Sequence, residues 1–286
     1  MSGGARPDAA RARADLASAI VDRHGDAADV FVTERPGHAR ELTKAAVARG
    51  ARLVMAWGGD GTINEVASAL VFGEIPLGIV PAGSGNGLAR QLSISLNPAD
   101  AIRQAIGAKP RRIDVGEMGD RVFVNVAGIG FDAHVAWKFN EEGSRRRGLV
   151  TYASIAGRAL LTYEPATYTI QEGNDAAGPP VRAVLVTVAN SPEFGNGAVI
   201  APGARVDDGL LDLVVMEERS RLNTIVQLPR LFQGTAHRAT GYSSRRIARA
   251  TIESDRPMVY HVDGEPVSGG TSLRVRVHPG ALNVAV

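Results

Sequence analysis

The sequence predicts α/β plus β: a doubly wound α/β nucleotide-binding domain over residues 1–110, then a larger antiparallel β-sandwich-like domain with inserted helices over residues 111–286. Three observations lead there. In the first third, short apolar strands alternate with helical segments, the pattern of a parallel sheet covered on both faces. From Arg111 onward, strand-like runs follow one another between Gly, Pro, Asn and Asp turns, as in a sandwich or barrel. A chain of 286 residues also has room for one large or two modest domains at roughly 100–200 residues each.

Taken in order, residues 9–23 (AARARADLASAIVDR) are helical in composition, and Asp29–Thr33 (DVFVT) reads as a short strand. Gly37–Arg49 predicts a helix with Leu42, Ala45, Ala46 and Val47 on its apolar side. Leu53–Trp57 (LVMAW) is a buried strand ended by Gly58-Gly59; a helix from about Asn64 to Val71 and a strand Leu77–Val80 follow. Residues 107–112 (GAKPRR) read as a linker. Beyond it, strands are expected at Val122–Ala127, Thr167–Gln171, Val181–Ala189, Leu210–Met216, Ile247–Glu253, Met258–Val262 and Leu273–Val277. Two helices interrupt them, near Leu149–Tyr163 and Leu222–Gln233. Strand-rich sequence continues to Val286, and its pattern leaves open whether the end crosses back to the first domain.

Composition narrows the functional classes. An apolar fraction of 44% is ordinary for a globular protein and excludes wholesale disorder. With no cysteine, a disulfide framework, a thiolate metal site and a cysteine nucleophile are all excluded. The start MSGGARPDAARARADL lacks the apolar core of a secretory signal, and no run approaches a membrane span, so a cytoplasmic protein is expected. Basic residues number 32 and acidic ones 30, too even a balance to steer the chain toward nucleic acid. The six histidines show no metal-ligand spacing.

Gly58-Gly59-Asp60-Gly61-Thr62-Ile63-Asn64-Glu65 follows the LVMAW strand and opens a helix. Glycines there let a backbone approach a ligand, and a helix start offers N–H groups and a positive dipole end to an anion. Asp60 would repel a phosphate alone, but it suits a hard cation such as Mg²⁺ bridging carboxylate and phosphates. The plainer alternative is a Gly-Asp-Gly turn with Asp as helix cap. A second segment, Pro81-Ala82-Gly83-Ser84-Gly85-Asn86-Gly87-Leu88-Ala89, repeats the arrangement after the next strand. In a doubly wound sheet both loops open at the carboxyl edge, where ligands bind. Neither loop is a Walker A or dinucleotide fingerprint.

GGDGTINEV followed by PAGSGNGLA resembles the diacylglycerol kinase catalytic family, which includes bacterial lipid kinases and the sphingosine and ceramide kinases. Gly128-Ile129-Gly130-Phe131-Asp132, Asn190 with Phe194-Gly195, Ala201-Pro202 through Asp212, and Asp263-Gly264-Glu265-Pro266 extend the resemblance over about residues 30–267. It implies ATP and Mg²⁺ as cofactors and phosphoryl transfer to a lipid hydroxyl in the cleft between two domains. It implies that Gly58, Gly59, Asp60, Gly61, Thr62, Ile63 and Asn64 hold the phosphates, Asp60 being linked to the catalytic Mg²⁺, with Gly83, Ser84 and Asn86 in the second loop. Thr33, in TxxxGHA with Gly37, His38 and Ala39, matches a further nucleotide contact. A second, structural Mg²⁺ is implied at the Asp208 side chain with the main-chain oxygens of Arg205 and Leu210; from sequence alone Asp207-Asp208-Gly209 reads as a hairpin turn. Glu265 is the favoured general base by resemblance, with Asp263 and Asp60 as rivals.

Two departures from the family pattern stand out. Members usually begin with an apolar strand leading into an Asn-Pro-x-Ser/Ala-Gly loop, whereas this chain starts at Met1-Ser2-Gly3-Gly4, inside or past it. Either the start codon is placed late or nucleotide contacts are lost. Gly87 stands where many bacterial diacylglycerol kinases carry Asp, which brings a sphingosine- or ceramide-type acceptor into consideration. The remaining alternatives are NAD kinase, which shares GGDGT, and a catalytically silent nucleotide- or lipid-binding module. A lipid substrate implies peripheral association with the inner face of the membrane. Arg145–Arg147, preceding an apolar stripe of Leu149, Tyr152, Ala153, Ala156, Ala159, Leu160 and Tyr163, would supply contact with anionic headgroups. A solvated loop before a packed helix explains the same residues. Family resemblance makes a homodimer reasonable.

Overall fold

The computed structural model describes residues 7–25, 27–141, 159, 162–195, 197–220, 227, 230 and 233–286. The chain forms two compact units: Met1–Ile113 together with Gly280–Val286, and Asp114–Pro279.

The first unit is α/β. Helices α1 (Pro7–Arg23), α2 (His38–Ala48), α3 (Asp60–Leu70), α4 (Gly87–Gln91) and α5 (Pro98–Gly107) surround strands β1 (Val54–Gly58) and β2 (Leu77–Pro81). The two strands pair in parallel from Val54↔Leu77 to Gly58↔Pro81. Every residue of β2 is buried, as a central parallel strand must be. Ile63, Val66, Ala67 and Leu70 form the buried stripe of α3, and Ala101, Ile102 and Ala105 that of α5. α5 starts where its sequence directs: Asn97 accepts the Ala99 and Asp100 N–H groups and Pro98 takes the first helical position.

Three expectations change here. Asp29–Thr33 is not a strand, since residues 27–34 pair with no neighbour among the described residues. Residues 27–33 and 49–57 instead line opposite stretches of a groove of about 670 Å³. Apolar, β-branched composition favours a strand only when a hydrogen-bonding neighbour is at hand, and Val30, Phe31 and Val32 remain 42, 49 and 47% exposed. In α2, burial falls on Ala39 and Thr43, while Ala45 and Val47 face solvent. The linker-like GAKPRR runs straight into β3 (Pro110–Met118).

The strands of the second unit are β4 (Arg121–Phe123), β5 (Val126–Gly130), β6 (Ala166–Glu172), β7 (Val181–Ala189), β8 (Glu193–Gly195), β9 (Ala198–Val199), β10 (Leu211–Glu217), β11 (Tyr242–Ile247), β12 (Arg249–Ser254), β13 (Val259–Val262), β14 (Glu265–Ser268) and the start of β15 (Ser272–Ala285). Its pairs β5–β7, β6–β7, β7–β10, β10–β11, β6–β12, β12–β15, β5–β13 and β13–β14 are antiparallel. β7 is the hub, with β6 and β5 on one edge and β10 on the other; its last seven residues are buried. Phe123, Ile129, Tyr168, Leu211, Leu213 and Ile252 centre the core.

The predicted strand Val122–Ala127 breaks at Val124-Asn125, whose N–H groups go to a side chain rather than a ladder. Ile247–Glu253 splits at Ala248 because its halves serve different neighbours, β10 before it and β15 and β6 after it. Helix α6 (Phe131–Glu141) follows β5 directly through Gly130, at φ 105°. The final strand β15 extends well beyond Leu273–Val277, and Val284 pairs in parallel with Leu77 of β2. The expected helices Leu149–Tyr163 and Leu222–Gln233 fall, apart from isolated positions, outside the described residues, as does Arg145–Arg147.

Candidate active site

In the first unit, α3 begins at Asp60, four residues before the expected Asn64, so Asp60-Gly61-Thr62 form its first turn rather than a loop before it. The Asp60 carboxylate accepts the Asn86 and Gly87 N–H groups, one on each oxygen and both at 3.0 Å. It therefore fastens the second glycine loop to the first. Burial pushes the Asp60 carboxyl up, opposed by these backbone hydrogen bonds. The Asn86 side chain closes its own loop, accepting Gly83 N–H and donating to Gly83 C=O at 2.9 Å each. Asn86 holds left-handed backbone at φ 53°, a conformation Asn tolerates better than most residues. Ser84 is exposed at the loop's tip.

The glycines at this junction answer to contact. A Cβ on Gly83 would lie 2.7 Å from the Gly59 Cα, and one on Gly58 would lie 2.6 Å from the Thr62 Cβ. Backbone thus presses on backbone between Gly83 and Gly59, and on the Thr62 side chain at Gly58, beside a helix start whose N–H groups can face an anion. Of the residues expected to hold phosphates, Gly58, Gly59, Asp60, Gly61, Thr62, Gly83 and Asn86 meet here. Ile63 is wholly buried, so its side chain serves the core. Asn64 accepts the Ser68 hydroxyl within α3.

Thr33 has a buried hydroxyl with no hydrogen-bond partner among the described residues, a group that a ligand or a water could satisfy. Its TxxxGHA segment is held from α3: Glu65 accepts the Gly37 N–H at 2.7 Å and the Ala39 N–H at 3.0 Å. α2 has no side-chain cap of its own, so Glu65 caps it from a neighbouring helix. Glu65 closes the GGDGTINE motif, and its task is invisible until α2 and α3 are seen side by side.

In the second unit, Asp263 and Glu265 flank Gly264 in the hairpin between β13 and β14. Asp263 adopts φ 48° and accepts three backbone N–H groups, from Val124, Asn125 and Val126, at 2.9–3.0 Å. Glu265 is exposed at the start of β14. Beneath the hairpin, His261 Nδ1 accepts the Gly264 N–H at 3.3 Å, so its Nε2–H faces the Asp132 carboxylate at 3.4 Å. Asp132 also accepts the Thr187 hydroxyl at 3.1 Å. This buried network explains the GFD motif, and it gives a role to His261, which spacing alone had not singled out.

Around Asp208 the loop is pinned from several sides. Asp208 Oδ1 accepts the Leu210 N–H at 3.1 Å, and Oδ2 pairs with the Arg246 guanidinium. Asp114, nearly fully buried, donates its N–H to Val206 C=O and accepts the Gly209 N–H at 2.7 Å. Arg205 pairs with Asp207 at 3.4 Å. Among the described residues no group of three or more His, Cys, Asp or Glu side chains could hold a metal ion.

The chain matches two family models: the diacylglycerol kinase catalytic domain over residues 2–118, and the YegS C-terminal NAD kinase beta sandwich-like domain over residues 125–286. A Pseudomonas aeruginosa protein named "probable lipid kinase YegS-like" is 32% identical over 262 residues, covering 89% of this chain and 83% of its own. A protein of the same name from Chromohalobacter salexigens is 31% identical over 251 residues, covering 86% and 78% respectively. In the crystal structure of a diacylglycerol kinase from Bacillus anthracis the same fold recurs, with a TM-score of 0.72 at 19% identity over 96% of this chain and 90% of that one.

Proposed function

The chain belongs to the diacylglycerol kinase catalytic-domain family, and from that membership we propose that it is a lipid kinase passing the γ-phosphoryl group of ATP to the hydroxyl of diacylglycerol or a related lipid. The observation that carries this reading is the Asp60 clamp, which joins two glycine loops at one helix start through the N–H groups of Asn86 and Gly87. A cradle assembled before the ligand arrives loses little entropy on binding it. Thr33, with its unpartnered hydroxyl, supplies a further polar group in the same unit.

Mg²⁺ fits at Asp60. Each carboxylate oxygen gives one lone pair to an N–H group and keeps another for a cation or its water. A nucleotide-bound Mg²⁺ supplies neutralisation of charge on the transferred group. The acceptor hydroxyl forms a bond to the γ-phosphorus as the bond to the bridging oxygen breaks and ADP leaves; its proton goes to the general base. Glu265 suits that role because its carboxylate is exposed, whereas the Asp263 oxygens are committed to three N–H groups.

A sphingoid-base or ceramide acceptor is the second reading, favoured by Gly87, which brings no carboxylate to the start of α4. Either acceptor places the enzyme at the inner face of a membrane without crossing it; no helix among the described residues is long and apolar enough to span one. The test is transfer of labelled γ-phosphate in mixed micelles with Mg²⁺ to diacylglycerol, monoacylglycerol, sphingosine and ceramide, with NAD in parallel. A labelled diacylglycerol is expected. Label on a sphingoid lipid alone moves the acceptor to the second reading, and label on NAD alone overturns both. ATP binding without any transfer leaves a silent module.

A further inference from the structure

The resemblance implies a structural divalent cation held by the Asp208 side chain and the main-chain oxygens of Arg205 and Leu210, and the residues present do not fit one. Mg²⁺ needs oxygen ligands at about 2.0–2.1 Å in near-octahedral geometry, and of the three expected ligands only the Asp208 side chain is charged. One hydrogen bond per oxygen leaves room for a cation at Asp60, but here the partner on Oδ2 is itself a cation, Arg246, with the Leu210 N–H on Oδ1. A guanidinium in contact with Oδ2 neutralises the carboxylate, and its charge repels a second cation.

The fold, rather than chance, brings Arg246 there. Arg246 lies in β11 directly opposite Asp212 of β10, and Asp208 stands just before β10 in the chain. The ladder register therefore carries the guanidinium to the loop. The Asp208 side chain is only 16% exposed, so water does little to offset its charge and a paired cation matters there. Asp114 also fastens two groups of the loop without metal, the Val206 C=O and the Gly209 N–H.

We propose that the guanidinium of Arg246 takes the charge-neutralising place of a divalent cation at the Asp208 loop, so that the second unit holds this loop without Mg²⁺. This goes beyond the kinase reading and is indifferent to which lipid is the acceptor.

The experiment measures unfolding midpoints of nucleotide-free protein in EDTA and in millimolar MgCl₂, for wild type, Arg246→Met, Arg246→Lys and each with Asp208→Asn. The quantity read is the Mg²⁺-dependent rise in Tm that Asp208→Asn removes, which separates this loop from any other Mg²⁺ site. Wild type and Arg246→Lys are expected to show none. Arg246→Met is expected to melt about 2–4 °C lower in EDTA and to recover that loss in MgCl₂. A removable Mg²⁺ response in wild type would show that a cation binds despite Arg246 and overturn the proposal. So would an Arg246→Met protein with an unchanged midpoint and no Mg²⁺ response. Should Arg246→Met fail to fold in EDTA, its recovery in MgCl₂ against no recovery decides between the same outcomes.

Discussion

The Asp263 carboxylate takes the N–H groups of Val124, Asn125 and Val126 at the point where β5 begins, while Glu265, two residues on, stands exposed. The two carboxylates should therefore fail differently. Glu265→Gln is expected to lower kcat by about 10²–10⁴-fold, the usual worth of a general base, with an unchanged unfolding midpoint. Asp263→Asn leaves buried N–H groups without an ionised acceptor and should cost about 1–3 kcal/mol of stability, read by urea unfolding. A lost midpoint for Glu265→Gln, or an intact one for Asp263→Asn, would reverse the assignment. The DGE triplet was legible as two carboxylates on a tight turn; their division of labour was not, because the N–H partners of Asp263 lie 137–139 residues earlier in the chain. Glu65 and Arg246 escaped for the same reason. Each acts on a segment that sequence spacing does not bring near, whereas the glycine loops announce themselves locally through an apolar strand, small residues and a helix start.

At the level of elements, apolar runs identified most strands, and their breaks were what the pattern missed. One run became two strands where partners changed at Ala248. Another run, Asp29–Thr33, became none where a partner is lacking. β3 and β15 illustrate a tie that no periodicity encodes. Glu117 accepts from Arg276 at 2.9 Å, and His278 Nε2 lies 2.7 Å from the same carboxylate. Burial pushes the Glu117 carboxyl up, but Arg276 and His278 together outweigh it and hold it below its ordinary 4.5. A carboxylate depressed in the folded state adds stability above its unfolded pKa and loses it as pH falls through the folded value. Glu117→Gln should thus lower stability above about pH 4.5, with the gap to wild type closing in more acidic solution. Urea titrations across that range measure it, and a gap that widens toward acid would contradict the sign.

Over the whole molecule, the groove lined by residues 27–33 and 49–57 joins exposed Val30, Phe31 and Val32 to the outer side of β1. An open apolar furrow beside exposed, unpaired backbone invites extended polypeptide or a hydrophobic dye. Folded protein should bind such a dye, and Val30→Lys/Val32→Lys should reduce both the fluorescence and any concentration-dependent association seen by light scattering. Unchanged fluorescence would mean that the furrow is not the binding surface. The two-unit architecture was legible from the shift in strand rhythm, yet the first unit contains Gly280–Val286 as well as Met1–Ile113. That arrangement has a consequence in time. On the ribosome, β1 and β2 emerge before the second unit, but Val284, which pairs with Leu77 on the edge away from β1, is made only after it. At ordinary elongation rates the whole second unit intervenes, a delay of roughly 10–30 s. During that interval one side of β2 is held open, and a unit begun before the second is finished after it.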